Sequence, residues 1–114
     1  MNDSKIQHPD KDALFRSGYF PAAGAVAGVV IERHLKALCI NQTPPLTARG
    51  ETINPLNDAL KSAQIYDQTQ HRRIQVMGDI RNRCSHSVSN PPSKEEIWEL
   101  IEDVGRFLHS DAIK

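Results

Sequence analysis

The stretch Pro21 to Ile40, PAAGAVAGVVIERHLKALCI, constrains the fold of this chain more than any other part of it. Wound as an α-helix, its first half is apolar on nearly every side, through Ala22, Ala23, Ala25, Val26, Ala27, Val29, Val30 and Ile31. A helix without a polar face must be covered from several directions, so it is expected at the centre of a bundle. Pro21 suits its first turn, where the N–H that proline lacks has no helical acceptor. The apolar run is about half the length needed to cross a bilayer and ends in Glu32-Arg33-His34, which excludes a membrane span. Gly24 and Gly28, four residues apart, remove two side chains from one face and let another element come close. Packing within the chain and a dimer seam both fit that pair.

Around this helix the chain reads as further helices separated by proline-rich breaks, with no run of period-2 alternation and no Asn-Gly or Asp-Gly hairpin signal. Residues 1–8 are polar and read as a flexible N-terminus. A short helix over 9–19, with Leu14 and Phe15 inward, is expected to stop near Gly18. Residues 41–54 contain Pro44-Pro45 and Gly50 and read as a surface loop. Asn54-Pro55 offers an N-cap and a first-position proline for a helix over 55–65, with Leu56, Leu60 and Ala63 inward. Asp67 and Gln70 form a capping-box pattern for a helix over 68–84, whose stripe is Ile74, Met77, Ile80 or Arg81, and Cys84. Ser93 to Glu96 repeats the capping-box pattern before the stripe Ile97, Leu100, Ile101, Val104 and Leu108. With 114 residues, 39% hydrophobic and 25% charged, the sequence predicts one all-α domain over 9–114, a compact bundle of four to five helices.

Fourteen basic and fourteen acidic residues cancel, so a nucleic-acid contact must come from local separation of charge. No apolar segment follows Met1-Asn2-Asp3-Ser4-Lys5, which reads as cytoplasmic, with Cys39 and Cys84 as free thiols. Cys84 continues an apolar stripe and is expected to be a packed thiol rather than a nucleophile paired with His86. His34, His71, His86 and His109 contain no H-E-x-x-H and no i, i+4 pair, so no metal site is expected. No phosphate-binding glycine loop of the common kinds occurs, and no cofactor is expected. Aromatics are 5% of the chain, and Trp98 lies beside the last stripe, so contacts to a nucleic-acid backbone should outweigh aromatic stacking on bases.

Charge is nevertheless segregated. The fourth expected helix and its exit carry His71, Arg72, Arg73, Arg81, Arg83 and His86, and the last helix carries Glu95, Glu96, Glu99, Glu102 and Asp103. A solvated basic face is one reading. The other rests on Asp79-Ile80-Arg81-Asn82-Arg83-Cys84-Ser85-His86, which places a permanent guanidinium and an imidazole that titrates near neutrality close together. Imidazole can take a proton from a ribose 2′-OH or give one to a leaving 5′-oxygen, while guanidinium holds the phosphate oxygens as charge builds on them. In one unbroken helix, however, Arg81 and His86 stand about 140° apart around the axis and about 7.5 Å apart along it, and do not converge on one phosphate. Asn82 and His86 differ by only about 40°, so the amide can orient the ring or the phosphate. On the structural alternative Arg81 pairs with an acid, Arg83 pairs with Asp79, and His86 ends the helix, where imidazolium favours the dipole.

Arg81-Asn82-x-x-x-His86 resembles the Arg-x4-His signature of the HEPN (higher eukaryotes and prokaryotes nucleotide-binding) superfamily, near the end of a late helix as in that family. Glu32-Arg33-His34-Leu35-Lys36 is similar to the family's Glu-x3-Lys/Arg element on an early helix. The order agrees, and the resemblance, to small stand-alone bacterial members, covers roughly residues 13–110. It implies a helical bundle that forms a two-fold homodimer, with two motifs at a shared cleft and metal-independent cleavage of RNA. On that basis His86 is the general acid/base, Arg81 the phosphate clamp, Asn82 an orienting residue, and Glu32 and Lys36 supporting residues. Arg83 and Arg73 on the same helix are the expected further contacts to RNA. Stand-alone members resemble toxins or antiviral defence effectors, and a nucleotidyltransferase-type antitoxin is the partner this implies. The alternative within the same family is a catalytically silent dimerisation or partner-binding module.

Overall fold

The computed structural model describes residues 11–86 and 89–109, the side chain of His86 excepted. Among these residues there are five helices and no strand: α1 (Lys11–Arg16), α2 (Phe20–Ile40), α3 (Ile53–Ser62), α4 (Gln68–His86) and α5 (Lys94–Leu108). The all-α bundle expected from the sequence is the observed architecture. The expectations for residues 1–8 and for the first two residues of the 9–19 helix lie outside the described residues.

The helix that is apolar nearly all round takes the central place. α2 touches all four of the others, and Ala23, Ala27, Ile31, Leu35 and Cys39 along it are buried. Pro21 sits in its first turn, as expected. α5 lays Ile97, Leu100, Ile101 and Val104 against the same core, and Phe107 rather than Leu108 completes its stripe. The Phe107 ring is T-shaped to both His34 of α2, at 5.2 Å, and Tyr66, at 6.1 Å. Burial there lowers the pKa of His34, since the charged imidazolium loses solvation. No helix among the described residues is long and apolar enough to cross a membrane.

Helix ends follow local chemistry. α1 closes with Gly18 at φ 88°, the Gly18 N–H donating to the Phe15 carbonyl and the Tyr19 N–H to the Leu14 carbonyl, a Schellman motif that ends the helix three residues before the expected limit. The Ser93 cap of α5 is a complete capping box with Glu96. At α4 the Gln70 N–H donates to the Asp67 carboxylate at 2.9 Å, the N-cap half of the expected box.

α3 departs from expectation at both ends. It begins at Ile53 with Thr52 as cap, so Asn54 lies inside the first turn and Pro55 is third in the helix. Proline is tolerated there because the first four N–H groups of any helix lack an acceptor. At the other end α3 stops at Ser62, not 65, because Gln64 adopts φ 61° and the Gln64 and Ile65 N–H groups close a second Schellman motif on Lys61 and Leu60. Ala63 is therefore exposed, and the inward positions are Ile53, Leu56, Asn57 and Leu60.

Buried Asn57 is explained by the joint between α3 and α4. Its amide donates to the His71 carbonyl at 2.9 Å, and its side-chain oxygen accepts from the Tyr66 hydroxyl. His71 Nε2 lies 2.8 Å from Asp58 Oδ1. His71, expected on a basic face, is thus 8% exposed and part of this network. Burial, aided by Cys39 and Asp58, pushes the Tyr66 hydroxyl well above its ordinary pKa, so it stays a donor.

The left-handed conformation of Gln64 yields a test. A residue with a Cβ is strained there by about 1–2 kcal/mol, and glycine is not, although glycine loses more freedom on folding. Gln64→Gly is expected to raise stability by about 1 kcal/mol or less, read from the urea midpoint, whereas the same change at exposed Gln75 inside α4 should lower it.

Candidate functional site

Arg81 is the residue around which the site is built, and a glycine decides where it goes. Its stem crosses α2 at Gly28, where a Cβ would overlap Arg81 Cγ. One turn earlier on α2, a Cβ at Gly24 would overlap Cys84 Sγ. The two glycines are buried under α4 of the same chain, so of the two uses open to them they serve close packing within the chain. The packing partly buries Cys84, which raises its thiol pKa and leaves it a poor nucleophile.

The Arg81 side chain is half-buried, its Nε is buried without a hydrogen-bond partner, and its Nη1 reaches Asn82 Oδ1 only at 3.5 Å. Among the described residues no carboxylate lies within ion-pairing distance of Arg81. The sequence alternative in which an acid neutralises Arg81 is not what the structure adopts. The side chain lines a pocket of about 230 Å³ together with Glu32, Thr52, Ile53, Asn54, Gly78 and Asn82. Larger cavities lie elsewhere, among them one of about 580 Å³ between residues 46–49 and α3 and one of about 480 Å³ between α4 and α5. The smaller pocket brings three of the sequence-predicted residues together, Glu32, Arg81 and Asn82.

Of those residues, Arg81, Asn82 and Glu32 come together. Glu32 lies one turn beyond Gly28 on α2 and has no ion pair or hydrogen bond among the described residues. Lys36, a helical turn further, turns to Glu51 of the following loop at 3.0 Å. α4 is helical without a break through His86, so the backbone positions of Arg81 and His86 keep the divergence of about 140° expected from helix geometry. The side chain of His86 lies outside the described residues. Arg73 is exposed and lines the 480 Å³ cavity with Gln70 and Arg106, away from Arg81.

Arg83 has a different task from the one expected. Its guanidinium forms two hydrogen bonds to the Glu96 carboxylate, at 2.7 and 3.1 Å, and donates to the carbonyls of Asn90 and Pro91 at 3.1 and 3.4 Å. Asp79, its expected i, i+4 partner, lies further off at 3.6 Å. Arg83 therefore ties the end of α4 to the start of α5. The hydrogen bond to Glu96, foremost, raises its pKa further. In return Arg83, followed by the Ser93 N–H, draws the Glu96 carboxyl down to about 2.

Sequence reasoning missed Thr52, Ile53, Asn54 and Gly78 as pocket residues. Asn54 looks like a helix cap in the sequence, and only the helix starting two residues earlier turns it toward α4. Gly78 is the available clue, because a Cβ there would stand 3.1 Å from Asn54 Oδ1 and 3.3 Å from Ile53 Cγ2. A glycine inside a helix costs about 1 kcal/mol against alanine, and close approach is the usual compensation. Among the described residues no three His, Cys, Asp or Glu side chains gather as metal ligands. Compared with protein-family models, with curated proteins and with solved structures, the chain matches none of them.

Two tests address this construction. Gly28→Ala must move the Arg81 stem, so its cost in stability should shrink when Arg81 is already alanine, with a coupling of about 0.5–3 kcal/mol in a double-mutant cycle. Equal costs in both backgrounds would show that the stem does not fill that space. The second concerns pH. A carboxyl whose folded pKa is depressed stabilises the fold above its unfolded value, ordinarily 4.5, and that contribution is lost as pH falls through about 2. The urea midpoints of wild type and Glu96→Gln should therefore differ above about pH 5 and converge on acidification.

Proposed function

We propose that the chain is a metal-independent endoribonuclease of the HEPN type, acting as a two-fold homodimer. The observation that supports this reading is the state of Arg81. A permanently charged side chain is carried by Gly28 into a polar pocket without a neutralising acid in contact, while Arg83 and Arg106 are ion-paired. A cation taken partly out of water without a partner is costly, and a phosphate oxygen is the group that would compensate it.

In this reading Arg81 holds the non-bridging oxygens of the scissile phosphate and Asn82 orients it. His86 takes the proton of the 2′-OH, whose oxygen attacks phosphorus as the bond to the 5′-oxygen breaks. An imidazolium returns a proton to that leaving oxygen. The products are a 2′,3′-cyclic phosphate and a 5′-hydroxyl, with no metal and no cofactor consumed. Because an unbroken α4 sets the backbone positions of Arg81 and His86 about 140° apart around its axis, one copy supplies the clamp and the other the imidazole at each phosphate, which is why the dimer is part of the proposal. Glu32 remains a site residue. Lys36 acts through Glu51, anchoring the loop that leads to Thr52. Of the two further RNA contacts expected, exposed Arg73 keeps that role, and Arg83 supports α4 through Glu96. Toxin or defence activity restrained by a nucleotidyltransferase-type antitoxin in the cytoplasm is the setting that the resemblance suggests.

Cleavage of single-stranded RNA is expected to persist in EDTA, to leave 2′,3′-cyclic ends and to spare DNA. Arg81→Ala and His86→Ala should abolish it while retaining helical circular dichroism, and specific activity should fall as the dimer is diluted. Chelation that stops cleavage, or folded variants that cut as fast as wild type, would overturn the mechanism. A dimer that binds partners and cuts nothing would instead be the silent module.

A further inference from the structure

The pocket at Arg81 contains more than a phosphate clamp requires. Five of its seven lining residues, Glu32, Thr52, Asn54, Arg81 and Asn82, present hydrogen-bonding side chains, and they come from three segments of the chain. Its volume of about 230 Å³ is several times the roughly 30 Å³ share of one water molecule, and can admit a flat ring. Among the described residues Glu32 is its only carboxylate. Lys36, the i, i+4 partner that would neutralise Glu32 on an isolated helix, is engaged with Glu51, and Arg81 shares the pocket without an ion pair to it. Asn54 comes close to α4 because Gly78 has no side chain, its Oδ1 standing 3.1 Å from where a Cβ would be.

From this arrangement we infer that the pocket takes the base of one unpaired guanosine nucleotide, with Glu32 reading its edge, and that Asn54 is a specificity residue. The inference rests on the RNA-directed reading of the same site and adds the identity of the base. An ionised carboxylate only accepts hydrogen bonds, and two adjacent N–H donors match its two oxygens. Guanine presents such a pair on its Watson–Crick edge, N1–H beside N2–H. Adenine and cytosine place one amino group beside a ring nitrogen that would repel the carboxylate, and uracil sets its N–H between two carbonyls. The guanine O6, next to N1–H, accepts from an amide N–H, which Asn54 and Asn82 both carry. Arg81 holds the attached phosphate. A single-stranded residue is required, because in a duplex that edge is already paired.

The decisive measurement does not depend on cleavage. Side-chain amide signals of Asn54 and Asn82 are followed by NMR while 5′-GMP, 5′-AMP, 5′-CMP and 5′-UMP are titrated separately into wild type and Glu32→Gln. The titration is repeated with single-stranded oligonucleotides carrying one guanosine or none, their riboses 2′-O-methylated against cutting. GMP is expected to bind wild type at least about fivefold more tightly than the other three, as a bidentate base contact allows. Glu32→Gln should remove most of that preference, bringing the GMP and CMP affinities together, and Asn54→Ala should reduce it. A preference for the guanosine-containing oligonucleotide places the site on RNA; a preference for free GMP alone keeps the guanosine pocket and rejects its use on RNA. Equal affinity for the four nucleotides, no binding of any, or a GMP preference that survives Glu32→Gln would overturn the inference even if the protein cuts RNA. Conversely, an intact GMP preference in a protein that cuts nothing would sink only the nuclease reading.

Discussion

Where α2 crosses α4, Gly24 and Gly28 leave the space that Cys84 Sγ and the stem of Arg81 fill, and the placement of the candidate site follows from this contact. Protein interiors are packed too densely for a side chain and a Cβ to share that volume, so the two helices lie this close only because two methyl groups are missing. The closeness makes α2 the common wall of the bundle. It also turns an arginine on the inner side of α4 into a residue whose aliphatic part is packed and whose charged end emerges beside Glu32. Arg81 is held by its stem, leaving its guanidinium uncommitted.

The neighbouring arginine shows how strongly surroundings decide the role of one side-chain type. Arg83 is two residues from Arg81, yet it is saturated by Glu96, Asp79 and two backbone carbonyls and holds the end of α4 against the start of α5. Part of its strength comes from geometry, since the planar guanidinium meets both carboxylate oxygens of a residue already fixed by its own capping box. The third wall of the pocket depends on another joint. Buried hydrogen bonds from Asn57 to the His71 carbonyl and from Tyr66 to Asn57, with a part-buried His71–Asp58 contact at their edge, lock α3 to α4, and that lock carries Asn54 to Gly78. A polar network buried between two helices permits one register, because any slip would strand its donors and acceptors.

The local pattern made much of this legible. The central position of α2, the capping box at Ser93, the stripes of α4 and α5 and the stop at Gly18 each depend on residues within a turn or two of one another. α3 differs from its sequence pattern at both ends for a reason of the same kind. Asn54-Pro55 is a better cap in isolation than Thr52-Ile53, and Gln64 adopts a left-handed conformation that its side chain does not announce. By its charge His71 groups with a basic face, whereas its carbonyl accepts from buried Asn57 of α3 and its ring lies against Asp58.

What the sequence by itself determined is the set of helices and the face each one buries, because hydrophobic period and capping are written in neighbouring residues. The resemblance of its motifs brought Glu32 and Lys36 into view beside Arg81, Asn82 and His86, and of these the pocket gathers Glu32, Arg81 and Asn82. Only the tertiary structure decided which charges are spent and which are free. Arg83 finds Glu96 thirteen residues on, Lys36 finds Glu51 fifteen residues on, and Arg81 crosses α2 at Gly28, fifty-three residues back. Such pairings depend on crossing angles and on the volume left by absent side chains, quantities that arise only when helices distant in the chain are packed together.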